Sequence, residues 1–460
     1  MTRHFMAVRT TRWAAVLLGV ASIGACSDAF VPDFNNPTIP GAISTQAELQ
    51  GQASGLLAGD RDFHAFGILI LETMGRDAYR IDVADPRYIL QPLGQYSASA
   101  FIVDFLWNAN YRTIRGAQEL VGGIDNSGFS AQDKAATRGF ARTLKALQYI
   151  RLIETRDTLG LPIALGSGAR DPVRCKPAVL DHIVALLDSA ASDLEAGGAT
   201  FPFILPSGFT GFGTFNTPAT FLEFNRALAA KALTYKGFRS FASGGTVDAA
   251  ALTAALTAIG ESFAGTGTPL RTGVYHTYST RSGDATNFLY NPSVYRANPR
   301  VLSEASAGDQ RLSKVDQDPA LRISTADESA SSDILFTNVT GPTTPSPILI
   351  NEELLLTQAE IHWGLNQDAQ AIALINFIRV NSGGLLPRTV YATRLDIIRE
   401  IIKQKRYSLL YESGARFVDS RMFGLFGELG LELQPPGPGP TEIPFPQAEK
   451  DARGGETSCS

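Results

Sequence analysis

From Ala131 to Thr155 the chain reads AQDKAATRGFARTLKALQYIRLIET, with Phe140, Leu144, Leu147, Ile150 and Leu152–Ile153 recurring at three- and four-residue intervals. That spacing lines one face of a helix with apolar side chains and leaves the charged ones on the other. The pattern returns along the chain. AVLDHIVALLDSAASDLEAGG, from Ala178 to Gly198, stops on a double glycine. TPATFLEFNRALAAKALTYKG, from Thr217, opens on a Thr-Pro step suited to a helix start. VDAAALTAALTAIGESFAG follows from Val247, then ILINEELLLTQAEIHWGL from Ile348 and AQAIALINFIRVNSGG from Ala369. These helices come in pairs, with small residues such as Ala227, Ala230, Ala232, Ala359, Ala371 and Ala373 at positions of close approach. Tetratricopeptide-type hairpins, with a period of roughly 34 residues, share this grammar. No pair keeps that consensus strictly and the spacing between pairs varies. The expected fold is therefore mainly α, a degenerate helical-hairpin scaffold. Between Thr73 and Ala100, and between the fourth and fifth of these helices, the chain turns to long Gly/Pro/Ser/Thr/Asp-rich segments with scattered aromatics, and loops of such length are usually functional or disordered.

The beginning of the chain has the three parts of a secretory leader over residues 1–25: Arg3, Arg9 and Arg12, an apolar run from Trp13 to Ile23, then Gly24 and Ala25. The run falls well short of the roughly 20 apolar residues of a spanning helix. The quartet Ile23-Gly24-Ala25-Cys26 resembles the lipobox of bacterial lipoproteins, in which the cysteine thiol is acylated and becomes the first residue of the mature chain. Ordinary cleavage nearby is the alternative, and it would leave Cys26 as an exposed thiol. The net charge is −5, and loss of the leader's arginines would make the remainder more acidic, which argues against a nucleic-acid partner. Cys175 and Cys459 could pair in an oxidising compartment, but nothing in their spacing decides it. Residues 431–460, which take in the Pro/Gly-rich QPPGPGP from Gln434, are expected to form an extended or disordered tail.

Chemistry-bearing motifs are scarce. The sequence holds no G-x-S-x-G elbow, no P-loop and no H-E-x-x-H, and His64, His182, His276 and His362 show no metal-ligand spacing. No cofactor, metal or catalytic residue is expected. The two carboxylates of a glycoside hydrolase need no fixed spacing, so a secreted glycosidase stays open as an alternative. So does a scaffold that binds only protein. Glu353 and Glu360, on one helix face, read as solvated or helix-start carboxylates rather than an acid/base pair.

Several segments together resemble the SusD/RagB-like family of outer-membrane nutrient-binding lipoproteins. DFNNPT (Asp33–Thr38) is similar to the Asn-Pro segment after that family's anchor, and WNANYRTIRGAQELV from Trp107 fits its W-x₃-Y-x₂-I-x₂-A helix. ALQYIRLIETRDTLGLPI resembles its helix leading into a Gly-Leu-Pro turn. NEELLLTQAEIHWGLNQDAQAIALINFIRVNSGG resembles its paired E-x-x-L-x-x-A-E and A-x-x-x-x-N-x-x-R helices. KQKRYSLLYESGARFVDSRMFG resembles its closing signature, keeping Arg406, Glu412, Arg416, Asp419 and Arg421 while departing at Gln404, Lys405, Ser408 and Ser413-Gly414. The resemblance implies a single SusD-like domain over residues 26–430 with a loop-rich irregular face, lipid attachment at Cys26 and an outer-membrane location facing the cell surface. It implies capture of a nutrient, most often a glycan and in some members a peptide, and its transfer to a TonB-dependent, SusC-like transporter. No turnover is implied. The closing signature reads as an ion-pair network fastening the last helix, with Glu412 and Arg416 within reach of each other if that helix runs on. Asp309 and Arg311 resemble the family's D-x-R turn and read as structural.

Sugars present apolar C–H faces that stack on flat rings, and hydroxyls that pair with Asp, Asn, Gln and Arg, so a carbohydrate platform mixes both residue types in exposed loops. The loop GRDAYRIDVADPRYILQPLGQYSAS offers Tyr79, Tyr88 and Tyr96 with Asp82, Asp85 and Arg87. A second, RTGVYHTYSTRSGDATNFLYNPSVY, offers Tyr275, Tyr278, Tyr290 and Tyr295 with Asp284 and Asn287. Packing onto the scaffold or onto a partner would use the same tyrosines. Trp107 and Trp363, within helices, read as core.

Overall fold

The structure is a computed structural model that describes residues 43–94, 96–164, 171–428, 430, 440–455 and 457–460. The leader, Cys26 and the Asn-Pro segment lie outside the described residues. Helix α1 (Gln46–Met74) leads through strand β1 (Ala78–Arg80) and the short α2 (Arg87–Leu93) to α3 (Phe101–Asp125) and α4 (Ala131–Arg156). Strands β2 (Leu161–Pro162) and β3 (Val173–Arg174) precede α5 (Lys176–Glu195), α6 (Pro218–Gly237) and α7 (Ala249–Gly260). Next come β4 (Gly273–His276), β5 (Tyr295–Ala297), α8 (Arg300–Ser303), β6 (Val315–Gln317), β7 (Ile323–Ser324), β8 (Ser331–Ser332) and β9 (Ile334–Phe336). The chain then runs through β10 (Ser346–Ile350), α9 (Asn351–Gly364), α10 (Asp368–Asn381), α11 (Arg394–Ser408), α12 (Ala415–Met422) and α13 (Gln447–Ala452).

Each long helix packs on the next: α1 on α3, α3 on α4, and so on to α7, which meets α9, while α9 holds α10 and α11, and α12 returns to α1. The fold is mainly helical, as expected. Among the described residues the strands form only two-stranded antiparallel ladders, which fasten loops rather than build a core. Helix starts follow the polar signals in the sequence. The Thr45, Thr217 and Thr393 hydroxyls each accept the backbone N–H three residues on, and Ser130 and Asp248 do the same for α4 and α7. Phe140, Phe221 and Phe224 sit fully buried where α4 meets α6.

The structure departs from expectation in four places. Helix α1 escapes a periodicity reading because every residue from Phe63 to Met74 is buried, leaving no polar face to contrast with an apolar one. The tail is not free over residues 440–455 and 457–460. Ile443 and Phe445 are buried, the Ile443 N–H donates to the Thr155 carbonyl, and a disulfide joins Cys459 to Cys175. The closing signature does not run on as one helix: α11 ends at Ser408, and Tyr411 and Gly414 adopt positive φ of 62° and 71° before α12 begins. Glu412 therefore pairs with Arg271 and Lys314 at 2.8 and 3.3 Å instead of with Arg416. Glu353 and Glu360 are not solvated, since both are buried against Lys231 and Lys405 respectively.

Candidate functional site

The two aromatic loops meet. Antiparallel pairing of β1 with β5 sets Tyr79 opposite Arg296 and Arg80 opposite Tyr295, and the Ile81 N–H extends the ladder to the Val294 carbonyl at 2.8 Å. Strand β1 follows directly from α1, so Phe66 of that helix stands beneath the junction. Phe66 packs edge-on against Phe105 of α3 (4.7 Å between centroids), Phe288 (5.5 Å) and Tyr88 (6.2 Å), and Tyr88 against Phe101 (5.0 Å). The Arg80 guanidinium lies over the Tyr88 ring, 3.3 Å from its centroid, and Arg87 lies 4.6 Å over Phe101. These are strong cation–π placements.

The outer surface of this cluster faces solvent. Phe105 and Phe288 keep 36 and 38 % of their surface exposed although Phe66 anchors both from below, and Tyr290, two residues beyond Phe288, keeps 38 %. A polar rim surrounds them. Arg80 pairs with Asp82 at 3.0 Å, and Arg87 grips Asp85 through two bonds of 2.7 Å. Hydrogen bonds from the guanidinium and the backbone keep the Asp82 and Asp85 carboxyls below the ordinary carboxylate range, so both are charged acceptors. An apolar ring surface edged by fixed donors and acceptors is suited to stack a sugar face and pair its hydroxyls.

Residues named from the sequence divide between this surface and its supports. Tyr88, Asp85 and Arg87 belong to it, and Tyr290 stands exposed two residues beyond Phe288. Asn287 is buried and acts as the hinge pin of the second loop: its side chain donates to the Thr344 carbonyl and accepts from the Leu289 N–H, a turn that sets Phe288 and Tyr290 outward. Tyr275 is buried in β4, its ring stacked on Phe212 and its hydroxyl donating to the Arg271 carbonyl. Tyr278 is buried beside Arg61, whose guanidinium also pairs with Asp284 at 2.6 Å. Tyr96 turns its hydroxyl inward. Tyr79 and Tyr295 are buried under the ladder. Phe66, Phe105, Phe288 and Arg80 were not singled out from the sequence. Nothing local marks Phe66 or Phe105, and the tertiary packing alone brings them together with Phe288.

A separate cleft of about 490 Å³ opens between Gln50–Arg61 of α1, Ile204–Pro206 and Tyr275–Thr277. The closing signature forms no surface site. Arg406 and Arg416 both reach Asp77 and Glu304, Asp419 meets Lys405 at 3.1 Å, and Arg421 meets Asp157 at 3.4 Å. Asp309 and Arg311 pair within a buried turn that also reaches Ser408. His64 and His276, distant in sequence, stand 5.0 Å apart between ring centroids, each held by protein partners.

No family model and no curated protein matches the chain. Solved structures do. A SusD superfamily protein from Parabacteroides distasonis superposes with a TM-score of 0.60 at 15 % identity, over 90 % of this chain and 98 % of that one. A SusD-like carbohydrate binding protein from Bacteroides fragilis gives 0.61 at 17 % identity, over 84 and 87 % of the two chains. A protein crystallised with a xylogluco-oligosaccharide gives 0.60 at 15 %, over 83 and 84 %. At such identities the likeness is one of fold: the chain has the SusD-like fold.

Proposed function

We propose, from the SusD-like fold as premise, that this protein is a surface-exposed lipoprotein that binds a glycan on the Phe105–Phe288–Tyr290 platform and passes it to a TonB-dependent transporter. The observation that carries the reading is the union of two loops into one exposed aromatic surface rimmed by Arg80, Asp82, Asp85 and Arg87. Carbohydrate binding among proteins of like fold supports it. The lipobox at Cys26 supports tethering through lipid, and no described helix is long and apolar enough to cross a membrane. A preformed binding surface fits capture without turnover.

Calorimetry against a panel of neutral oligosaccharides, xyloglucan fragments included, tests the reading. Phe288→Ala together with Phe105→Ala should weaken the best ligand by at least about tenfold, the equivalent of about 1.4 kcal/mol, with the melting temperature little changed because both rings are partly solvated. Retained affinity in the double variant would sink the platform. Release of reducing sugar by the purified protein would replace binding with hydrolysis. Fatty-acid labelling that persists in Cys26→Ala would remove the anchor.

A further inference from the structure

The cleft of about 490 Å³ beside α1 shares no lining residue with the aromatic platform. Its walls come from three segments far apart in sequence, and each is fixed by bonds within the protein. The Gln50 side-chain carbonyl accepts the Ile204 N–H at 2.7 Å, and its amide donates to the Ile204 carbonyl and to the Ser54 hydroxyl, both at 3.0 Å. The Arg61 guanidinium donates to the Thr277 carbonyl at 3.1 Å and pairs with Asp284 at 2.6 Å. The Tyr275 ring stacks on Phe212 with 3.9 Å between centroids, and its hydroxyl donates to the Arg271 carbonyl. A cleft held in this way keeps its shape without an occupant, so binding does not have to order its walls. Its volume falls in the range that takes a small molecule.

The lining selects a kind of ligand. Ile204 keeps 81 % of its surface exposed although both its backbone polar groups are clamped by Gln50, and Leu57, Ala58, Leu205 and Pro206 line the same cleft. Branched aliphatic side chains therefore make most of the wall. The Tyr275 ring is buried with Phe212 across one face, so the cleft lacks the flat exposed rings that suit the platform to a sugar. Two side chains able to carry charge reach the cleft, Arg61 and His276. Asp284 already neutralises Arg61. His276 gives its Nε2 proton to Asp60, and burial holds it below the ordinary imidazole range, so it is neutral. Neither offers a counter-charge to a ligand. The polar groups left over are the Ser54 and Thr277 hydroxyls, which donate to no described residue.

We propose that this cleft is a second binding site, for an uncharged amphipathic molecule whose aliphatic portion lies against Leu57, Ala58, Ile204 and Pro206 and whose hydroxyl or carbonyl group meets Ser54 or Thr277. The ligand removes the Ile204 side chain from water, which the protein itself does not do. It requires no charge because every charge at the cleft is already paired or absent. The site is independent of the glycan platform, whose rings and rim it does not use.

Straight-chain alcohols from 1-butanol to 1-octanol are the probes, titrated onto the full chain and followed by saturation-transfer NMR. Binding should saturate, and affinity should rise by about fourfold for each added CH₂, the transfer free energy of a buried methylene. Octanoate and octylammonium should bind no tighter than 1-octanol. Ala58→Trp, at an exposed position of α1, fills the cleft and should weaken 1-octanol by at least about tenfold. Ile204→Ser changes a side chain that is already solvated, so it reads the same contact even where the tryptophan variant fails to fold, and should weaken 1-octanol by roughly threefold. A flat dependence on chain length, tighter binding of octanoate or octylammonium than of 1-octanol, or wild-type affinity in Ile204→Ser each overturns the site.

Discussion

Asp60 illustrates how much of this fold hangs on single buried charges. It has no exposed surface, and burial alone would raise its pKa. Arg151, and hydrogen bonds from His276 and Gln148, outweigh that and hold it well below the carboxylate range. Arg151 can only donate, so the His64 Nδ1 it contacts at 2.9 Å is an acceptor, and the His64 proton sits on Nε2, donating to the Ser346 hydroxyl at 3.0 Å. His276 donates its Nε2 proton to the Asp60 carboxylate at 2.7 Å. Asp60→Ala leaves Arg151 buried and uncompensated, and should cost about 3–5 kcal/mol in denaturant unfolding; a loss under about 1 kcal/mol would contradict this account of the cluster. Burial, reinforced by Arg151, holds His64 well below the ordinary imidazole range, and burial holds His276 below it against the pull of Asp60. Both rings are thus neutral in the folded state. Their contribution is complete above an unfolded pKa of about 6.5 and is lost as pH falls below it, because the unfolded chain then takes up protons that the native one refuses. The stability lost between pH 7 and pH 5, measured by urea titration, should be smaller in His64→Gln than in wild type, and equal losses would remove His64 from the balance. Glu72 has the opposite sign: burial, with Asp77 beside it, raises it to about 8, so its contribution is present in acid and lost as pH rises through that value.

Helix packing turns on where a side chain is missing. A Cβ on Gly237 would stand 2.1 Å from Leu252 Cδ2, because α6 and α7 touch backbone to side chain there. Gly139 brings α4 against Leu194 of α5 in the same manner. Gly55, on the solvent-facing side of α1, has open space where an added methyl would go, with no neighbour within 4 Å of it. The same substitution should therefore have opposite effects. Gly237→Ala should destabilise by about 1–3 kcal/mol through overpacking, whereas Gly55→Ala should stabilise by about 0.5–1 kcal/mol through helix propensity. Thermal unfolding of the two variants decides it, and a shift of the same sign in both would refute the close approach of α6 and α7. The loops follow another rule. The Asn287 side chain and the β1–β5 ladder supply the backbone pairing that Gly/Pro-rich sequence does not supply locally, which is how an irregular segment presents Phe288 and Tyr290 in one place.

The chain closes on itself at both its late helices and its last residues. Helix α12 returns to α1, the Arg421 guanidinium reaches the Thr441 and Glu154 carbonyls, and Cys459 bonds to Cys175 across 284 residues of sequence. Cys459→Ser should lower stability by about 2–5 kcal/mol, with thermal unfolding shifted to the same extent by reducing agent in wild type; a variant as stable as wild type would mean that the packing of Ile443 and Phe445 alone holds the tail. The helical hairpins, the Thr-Pro start at Thr217, the scarcity of catalytic motifs and the two aromatic loops were legible in the sequence, because periodicity, capping and loop composition act over a few neighbouring residues. The long α1 was not, since its second half, Phe63–Met74, is buried on all sides and carries no amphipathic contrast. Which tyrosines face solvent, the emergence of Phe105 and Phe288 beside Arg80, the meeting of His64 with His276, the partners of the closing arginines and the bond between Cys175 and Cys459 were decided by tertiary structure. Each depends on groups far apart in sequence, and burial and pairing at such distances are properties of the packed chain rather than of any segment of it.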